Sequence, residues 1–189
     1  HYANYALAYA AFRNDNFNTS ANYFERFLAG GGKDGIELNT KNDAIARLAD
    51  SYFATKNYGR AMTYYDRLIS SNAQSQDYAL FQRGIIQGLQ GNNEAKIATL
   101  NSVIAKYPKS NYADDVAFEI PYTYFMTNQY DKAIEGLQSM VEKYPRSSYV
   151  PRALLTIGLV QYNQDNTDAA RATFERVVSQ YATTDEAKQ

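Results

Sequence analysis

The chain has 189 residues, with 19 lysines and arginines against 20 aspartates and glutamates, a formal net charge of −1 and no cysteine. This balance provides no basic field for nucleic acid or anionic lipid, and the missing cysteines exclude disulfides and thiolate chemistry. His1 is the only histidine, which excludes a histidine-based catalytic triad and an ordinary histidine-ligated metal site. The sequence therefore predicts a protein without catalytic residues, cofactor or metal, and without nucleic acid as a partner.

The apolar segments and the first residues of the chain indicate whether it enters a membrane and whether it is part of a longer protein. Every apolar stretch is interrupted within one or two helical turns, so we expect no direct insertion of this segment into a membrane. The chain begins at His1, without a methionine or a basic-then-apolar leader, so we expect a fragment of a longer protein.

Polar turns recur along the chain, each before a helical pattern rich in small residues. They lie at Asn16-Phe17, Asn57-Tyr58, Asn92-Asn93, Gln129-Tyr130 and Asn166-Thr167. Their spacings are 41, 35, 37 and 37 residues, and the segments Tyr107-Pro108-Lys109-Ser110 and Tyr144-Pro145-Arg146-Ser147 also recur 37 residues apart. A fixed period of this length indicates a repeat architecture.

Each repeat reads as two amphipathic helices around one polar turn. In the second helices, a small residue precedes a bulky one by four positions, and another apolar residue follows three later. The three columns are Ala61, Ala133 and Ala170; Tyr65, Leu137 and Phe174; and Leu68, Met140 and Val177. In the first helices, Leu7, Leu48, Ile120 and Ile157 are each followed by a small or compact residue. These columns predict helical hairpins that pack closely.

This pattern resembles the tetratricopeptide repeat, which has a small residue in the first helix, an aromatic at the turn, an early alanine in the second helix and a proline at the exit. The resemblance implies an all-α fold: a right-handed α-α superhelix, or solenoid, of about five helix-turn-helix units. We expect one domain over residues 1–189, with units at about 1–34, 42–75, 77–110, 114–147 and 151–184. The Tyr-Pro-x-Ser exits also resemble those of bacterial cell-envelope assembly proteins, which implies a periplasmic or outer-membrane-associated location.

Three departures mark the least regular units. Residues 30–35 form a glycine-rich exit, which we interpret as a flexible linker because its spacing does not match a phosphate-binding loop. Lys96 stands where alanine is expected, so its stem must either snorkel past its neighbour or pack loosely. Pro121 lies in a first helix, where we expect a kink or a delayed helix start.

The face of the first helices opposite the packing stripe is mostly aromatic or aliphatic. In the resemblance, this face lines a concave groove that binds a segment of another protein. It contains Tyr5, Tyr9, Phe12, Asp50, Phe53, Phe81, Ile85, Phe118, Tyr122, Phe125, Leu155, Leu159 and Tyr162. Such a stripe can instead pack between neighbouring helices, so burial is the alternative for each residue.

Charged residues refine this expectation. Some members of the family hold a terminal carboxylate in the groove, but of the corresponding positions Tyr5, Tyr9, Arg47, Tyr78 and Gln82 only Arg47 is cationic. The resemblance thus implies a less acidic and more apolar ligand. We interpret the carboxylates Asp43, Asp114 and Asp115 as lying at the starts of first helices, where the helix dipole favours them.

Two functions follow from the sequence. The first is a non-catalytic scaffold that binds a peptide or helix of another protein in the aromatic groove, with a role in cell-envelope assembly implied by the resemblance. The alternative is a structural segment of a longer solenoid with no ligand of its own, because residues 184–189 resemble the opening of another first helix.

Overall fold

The computed structural model describes residues 2–30, 35–71 and 75–188. Within these ranges the chain forms ten α-helices and one short 3-10 helix, and no strand. The predicted all-α fold of consecutive helical hairpins is therefore confirmed. Residues 31–34, in which the flexible linker was expected, lie outside the described residues.

The chain divides into two compact units, His1–Gly91 and Asn92–Gln189, so a single domain over the whole chain stays a prediction. The first unit contains α1 (Tyr2–Arg13), α2 (Phe17–Ala29), α3 (Leu38–Ala54), α4 (Tyr58–Ser70) and α5 (Gln76–Leu89). Each of these helices packs on the next in sequence. The predicted column residues Ala61, Tyr65 and Leu68 are fully buried in its core, together with Phe24 of α2.

The second unit contains α6 (Asn93–Lys106), α7 (Ala113–Met126), α8 (Tyr130–Lys143), α9 (Val150–Asn163) and α10 (Thr167–Gln180). Successive helices again pack on each other, and the 3-10 helix Glu186–Lys188 lies against α9 and α10. Of the predicted column residues, Leu137 and Val177 are at most 2% exposed, whereas Phe174 is half-buried. Leu100 of α6 is also fully buried.

All five polar turns adopt one backbone conformation. The residue before the aligned asparagine or glutamine has a positive φ: 55° at Asp15, 59° at Lys56, 80° at Gly91, 59° at Asn128 and 60° at Asp165. Glycine, asparagine and aspartate tolerate this region better than lysine does, so Lys56 is the least suited of the five. At three turns the next residue, Asn16, Asn57 or Asn92, caps the second helix with its side chain; Asn57, for example, accepts a hydrogen bond from the Arg60 backbone N–H. Gln129 and Asn166 make no such side-chain bond.

The Tyr-Pro-x-Ser segments close one helix and open the next. Helix α8 ends before Tyr144, whose carbonyl accepts a hydrogen bond from the Ser147 backbone N–H. The Ser147 hydroxyl oxygen accepts from the Tyr149 backbone N–H and donates to Asp114 Oδ2 at 2.7 Å. The recurring segment is therefore explained by the geometry of the exit from each hairpin.

The irregular residues are accommodated by specific partners. Pro121 does not delay α7, which begins eight residues earlier at Ala113, so that part of the prediction is wrong. Its ring packs against Gly136 so closely that a Cβ at that glycine would lie 2.6 Å from Pro121 Cβ. Lys96 is 9% exposed, and its ammonium donates to Glu119 Oε2 at 2.6 Å, so its long stem is buried and its charge is paired.

Candidate functional site

The residues predicted to line a groove lie on α1, α3 and α5 of the first unit and on α7 and α9 of the second. In the first unit, Tyr5 and Tyr9 of α1 both donate their hydroxyls to Asp43 Oδ2 of α3, with 2.6 Å for Tyr5. Burial, followed by the bonded carboxylate of Asp43, raises the pKa of the Tyr5 hydroxyl. We expected Asp43 at the start of a first helix, but α3 begins five residues earlier, at Leu38. That prediction is wrong, and Asp43 instead binds the two tyrosines.

Asp50 is the centre of a second cluster in the same unit. Its carboxylate accepts hydrogen bonds from Tyr65 Oη at 2.7 Å, Tyr78 Oη at 2.5 Å and Arg47 Nη1 at 2.6 Å. Burial raises the pKa of Asp50, and the two tyrosine bonds and Arg47 partly oppose that rise. Because Arg47 also lies 3.8 Å from Asp43, its charge is already engaged by two carboxylates of the same helix.

The other predicted residues of this unit also contact side chains of their own unit. Phe12 packs edge-on against Phe17, and the Arg47 guanidinium lies over its ring. Phe53 packs against Tyr58, Ile85 is half-buried, and Phe81 is only 9% exposed. The predicted surface of the first unit is thus largely occupied by internal hydrogen bonds and ring contacts.

Phe118 is fully buried in the second unit, so its ring is not available to a ligand. It stacks between Tyr122, at 5.2 Å between ring centroids, and Tyr149, the residue before α9, at 4.8 Å. Tyr149 donates to Asp115 Oδ1 at 2.9 Å, and burial together with this bond raises the pKa of its hydroxyl to about 12. Phe118 therefore lies at the centre of the contact between α7 and the segment that begins α9. Of the two predictions for this residue, burial rather than exposure in a groove is correct.

Arg152 of α9 lies beside the predicted residues, although the sequence did not single it out. Its guanidinium lies over the rings of Phe118, at 5.2 Å, and Tyr122, at 4.6 Å. The side chain is exposed, and none of the ion pairs in the described part of the chain involves it. Its position was detectable, because it lies 37 residues after Asp115 in the same column of the repeat.

The remaining predicted residues become more exposed along α9. Phe125, Tyr122 and Leu155 are half-buried, Leu159 is 40% exposed and Tyr162 is 61% exposed. Together with Arg152 we call these residues the aromatic face: Tyr122, Phe125, Arg152, Leu155, Leu159 and Tyr162. It presents apolar surface beside one cation that has no acidic partner among the described residues, which suits recognition of a protein segment.

The described residues also show whether the chain has metal-binding groups or helices that could span a membrane. They contain no group of three or more histidines, cysteines, aspartates or glutamates that could hold a metal ion. Asp114 and Asp115 do lie in the first turn of α7, as predicted, and both accept hydrogen bonds from the segment before α9. Among the described helices, none has the length and apolar character needed to cross a bilayer.

Comparison with solved structures shows the same fold in distant proteins. A crystal structure of MamA shares 17% identity over 97% of this chain and 98% of that chain, with a TM-score of 0.76. The tetratricopeptide-like repeats of a Podosopora anserina putative kinesin light chain share 15% identity, over 97% and 95% of the two chains, at a TM-score of 0.73. BtubC from P. vanneervenii shares 11%, over 92% and 76%, at a TM-score of 0.75.

Family models give the assignment directly. A tetratricopeptide repeat-like domain matches residues 52–187, and a tetratricopeptide repeat matches residues 5–76. No curated protein matches the sequence. The first model alone spans more than half of the chain, and it includes both hairpins that carry the aromatic face. The chain therefore belongs to the tetratricopeptide repeat family.

Proposed function

We propose that this chain is a non-catalytic scaffold that binds a peptide or helix of another protein on the aromatic face of α7 and α9. The family and fold support a protein-interaction scaffold in general. The observation that carries the finer proposal is Arg152, an exposed guanidinium with no ion pair among the described residues, beside apolar side chains. An exposed guanidinium stacked on aromatic rings can form a charge-assisted hydrogen bond with an acidic group on a partner.

The partner segment is expected to be mainly apolar, with one acidic group opposite Arg152. Leu155, Leu159 and Tyr162 follow Arg152 at intervals of three or four residues along α9, so they lie along one side of the helix. An apolar segment laid along this side meets aliphatic and aromatic surface, and its acidic group meets the guanidinium. On the first helices of the first unit, Arg47 is instead already paired with Asp43 and Asp50.

The test is affinity capture from the native organism, followed by a measured affinity. The captured protein is identified and reduced to its binding segment, and the dissociation constant of that segment is determined with purified chains. Arg152→Glu is expected to weaken binding about tenfold or more, because it places a carboxylate opposite the partner's acidic group. Arg146→Glu makes the same charge change at an exposed position in the α8–α9 connection and should leave the affinity unchanged.

Equal affinity for the wild-type chain and for both Arg152→Glu and Tyr162→Ala would remove the aromatic face as the binding site. A chain that captures no specific partner would instead favour the second candidate, a structural segment of a longer solenoid without a ligand of its own. Its own motivation is the uncovered apolar surface of α10, where Val178 is 56% exposed.

A role in cell-envelope assembly is the least supported part of the proposal, because it rests on the Tyr-Pro-x-Ser segments alone. Ser110 and Ser147 of these segments stabilise the connections between hairpins, so the segments have a purely structural explanation. Fractionation of the native cells with an antibody against this chain tests the location. Recovery in the envelope fraction supports the proposal, and recovery only in the cytosolic fraction contradicts it.

A further inference from the structure

A groove lies between the second helices α6 and α8 of the second unit, with α7 at its base. Its volume is about 220 Å³, and most of the side chains that line it are apolar. Ile104 of α6 and Ala117 and Ile120 of α7 are half-buried there, so part of their apolar surface is open to solvent. We call this the second-helix groove; its lining includes Ile104, Ala117, Ile120, Gly136, Ser139 and Lys143.

The equivalent place in the first unit, between α2 and α4, is occupied by an aromatic ring. Tyr64 of α4 packs on the core and stacks on Tyr52 of α3, with 5.8 Å between ring centroids. Its hydroxyl donates to Glu25 Oε1 of α2 at 3.4 Å, so the side chain extends from α4 to α2. Leu48 of α3, the equivalent of Ile120, is fully buried. The first unit thus closes this place with a side chain of its own.

The second unit has a glycine at the position of Tyr64. Gly136 follows Tyr64 by 72 residues, which is the sum of two repeat spacings. A Cβ at Gly136 would lie 2.6 Å from Pro121 Cβ, so the close approach of α7 and α8 leaves no room for a tyrosine at this position. Helix α8 therefore supplies no ring to the second-helix groove.

The other ring of the tyrosine pair is retained in the second unit. Tyr124 is the equivalent of Tyr52, and a cation from the following helix lies over each ring at 5.1 Å, Arg60 in the first unit and Lys132 in the second. Tyr124 is half-buried, and no other ring stacks on it among the described residues. It lies three residues after Pro121, on the same side of α7 as the groove. The second unit thus keeps one member of the stack without the other.

The charge at the groove is positive. Lys143 of α8 is exposed, and its ammonium lies over the ring of Tyr144 and forms none of the ion pairs in the described part of the chain. None of the described residues that line the groove is acidic. At the position of Glu25, α6 carries the uncharged and exposed Asn101. A ligand with an acidic group is therefore complementary to this groove.

We propose that the second-helix groove binds an aromatic side chain of a partner protein, on a segment that also carries a carboxylate. The ring stacks on Tyr124, as Tyr64 stacks on Tyr52, and the carboxylate pairs with Lys143. A protein side chain is the occupant because the ring at the equivalent place in the first unit is itself a side chain carried by a helix. The site is separate from the aromatic face, since Tyr124 lies two positions from Tyr122 and points to another side of α7.

The test begins with selection of a random dodecapeptide phage library on the immobilised 189-residue chain. Soluble Ser139→Trp chain is present in excess, because a tryptophan at this exposed lining position fills the groove. This competitor removes peptides that bind anywhere else on the chain. The selected peptides should share an aromatic residue with an aspartate or glutamate nearby.

Fluorescence anisotropy of the selected peptides, made synthetically with a label, then gives their dissociation constants. Ser139→Trp, Tyr124→Leu and Lys143→Glu should each weaken binding about tenfold or more. Gln138→Trp makes the same change at the next residue, which lines a different depression on α8, and should leave the affinity unchanged. Arg152→Glu should also leave it unchanged, which separates this groove from the aromatic face. Ser139 and Lys143 are exposed, so the melting temperatures of their variants should match the wild type.

Two results would overturn the proposal. One is a selection that enriches no peptides of this composition, and the other is equal affinity of the peptides for the wild type, Ser139→Trp and Lys143→Glu. Titration with N-acetyltyrosinamide tests a free aromatic compound instead. Binding of this probe as tight as that of the peptides would rule out a protein segment as the occupant that the groove selects.

Discussion

The two compact units use tyrosine in different ways, although both pack their helices through the same columns of small and bulky residues. In the first unit, tyrosine hydroxyls from α1, α4 and α5 all donate to two carboxylates of α3, Asp43 and Asp50. In the second unit, Tyr122 contributes its ring to a stack with Phe118, and Arg152 covers that stack without an acidic partner among the described residues. On the first-helix face, the first unit thus pairs Asp43 and Asp50 with its own tyrosines and Arg47, while the second leaves Arg152 and apolar surface exposed.

This difference shows which positions of the repeat are free to vary. The columns that hold the hairpins together are small or apolar in both units, because close packing of helices demands it. The columns on the opposite face are not required for that packing, so they carry a hydrogen-bonded network in one unit and a candidate binding surface in the other. Function in such a scaffold is therefore argued from that face rather than from the fold.

The largest expected effect is the response to alkaline pH. Burial raises the pKa of Tyr5, Tyr9, Tyr65 and Tyr78 in the folded first unit, so these hydroxyls keep their protons while those of the unfolded chain ionise near pH 10. Their contribution to stability is fully present below that pH and is lost as pH rises through the higher folded values. We expect the first unit to unfold before the second, which pulse-labelling hydrogen exchange read by mass spectrometry can assign. Earlier unfolding of the second unit would contradict the comparison.

In the second unit, Phe118→Ala is expected to lower the free energy of unfolding by about 3–5 kcal/mol. The substitution opens a cavity between Tyr122 and Tyr149 and removes the ring beneath Arg152. Urea unfolding followed by circular dichroism measures the loss. Tyr162→Ala is the control, because this ring is 61% exposed. A loss of stability there as large as at Phe118 would show that burial does not determine how much each ring of α7 and α9 contributes to stability.

Removing one hydroxyl should matter at Tyr65 of the first unit and not at Tyr122 of the second. Tyr65→Phe leaves the buried carboxylate of Asp50 without one of its three donors, and we expect a loss of about 1–3 kcal/mol in the same urea experiment. Tyr122→Phe should change stability by less than about 0.5 kcal/mol, since no hydrogen bond of its hydroxyl is found among the described residues. Equal losses at the two positions would abolish the distinction between the units.

Two helix glycines offer a comparison with opposite signs. Gly136→Ala in α8 would place a Cβ 2.6 Å from Pro121 Cβ, a rigid neighbour, and is expected to cost about 1–2 kcal/mol in thermal unfolding. Gly59→Ala in α4 has no heavy atom within 4 Å of the added Cβ and should stabilise the chain by up to about 1 kcal/mol. A stabilising Gly136→Ala would show that the α7–α8 contact is looser than described.

The smallest effect is expected at a turn. Lys56 has a φ of 59°, so Lys56→Gly should raise the free energy of unfolding by about 0.5–1 kcal/mol, measured by thermal denaturation. Asn128→Gly is the matched control in the second unit, where asparagine already tolerates a φ of 59° and the gain should be smaller. An equal gain at both turns would mean that lysine is not strained there.

The sequence predicted the hairpins, turns and buried columns because these depend on local periodicity and on small residues at fixed spacing. It did not predict the partners of Asp43, since Tyr5 and Tyr9 lie 38 and 34 residues away and meet it only after α1 and α3 come together. Arg152 was missed for a related reason, because the two rings that its guanidinium covers, Phe118 and Tyr122, belong to the preceding hairpin. Phe118 was included in the groove because its column is correct, but the stacking of Tyr149 from the next hairpin buries it.

The most direct test of the partner-binding account compares equivalent residues of the two units. Phe12 of α1 and Tyr162 of α9 occupy the same column of the repeat, yet Phe12 packs against Phe17 and Arg47 whereas Tyr162 is 61% exposed. A photo-crosslinking phenylalanine derivative placed at each position in turn is irradiated with the captured partner, and the yield is measured by mass spectrometry. We predict crosslinks from position 162 and none from position 12; crosslinks from position 12 alone would contradict the account.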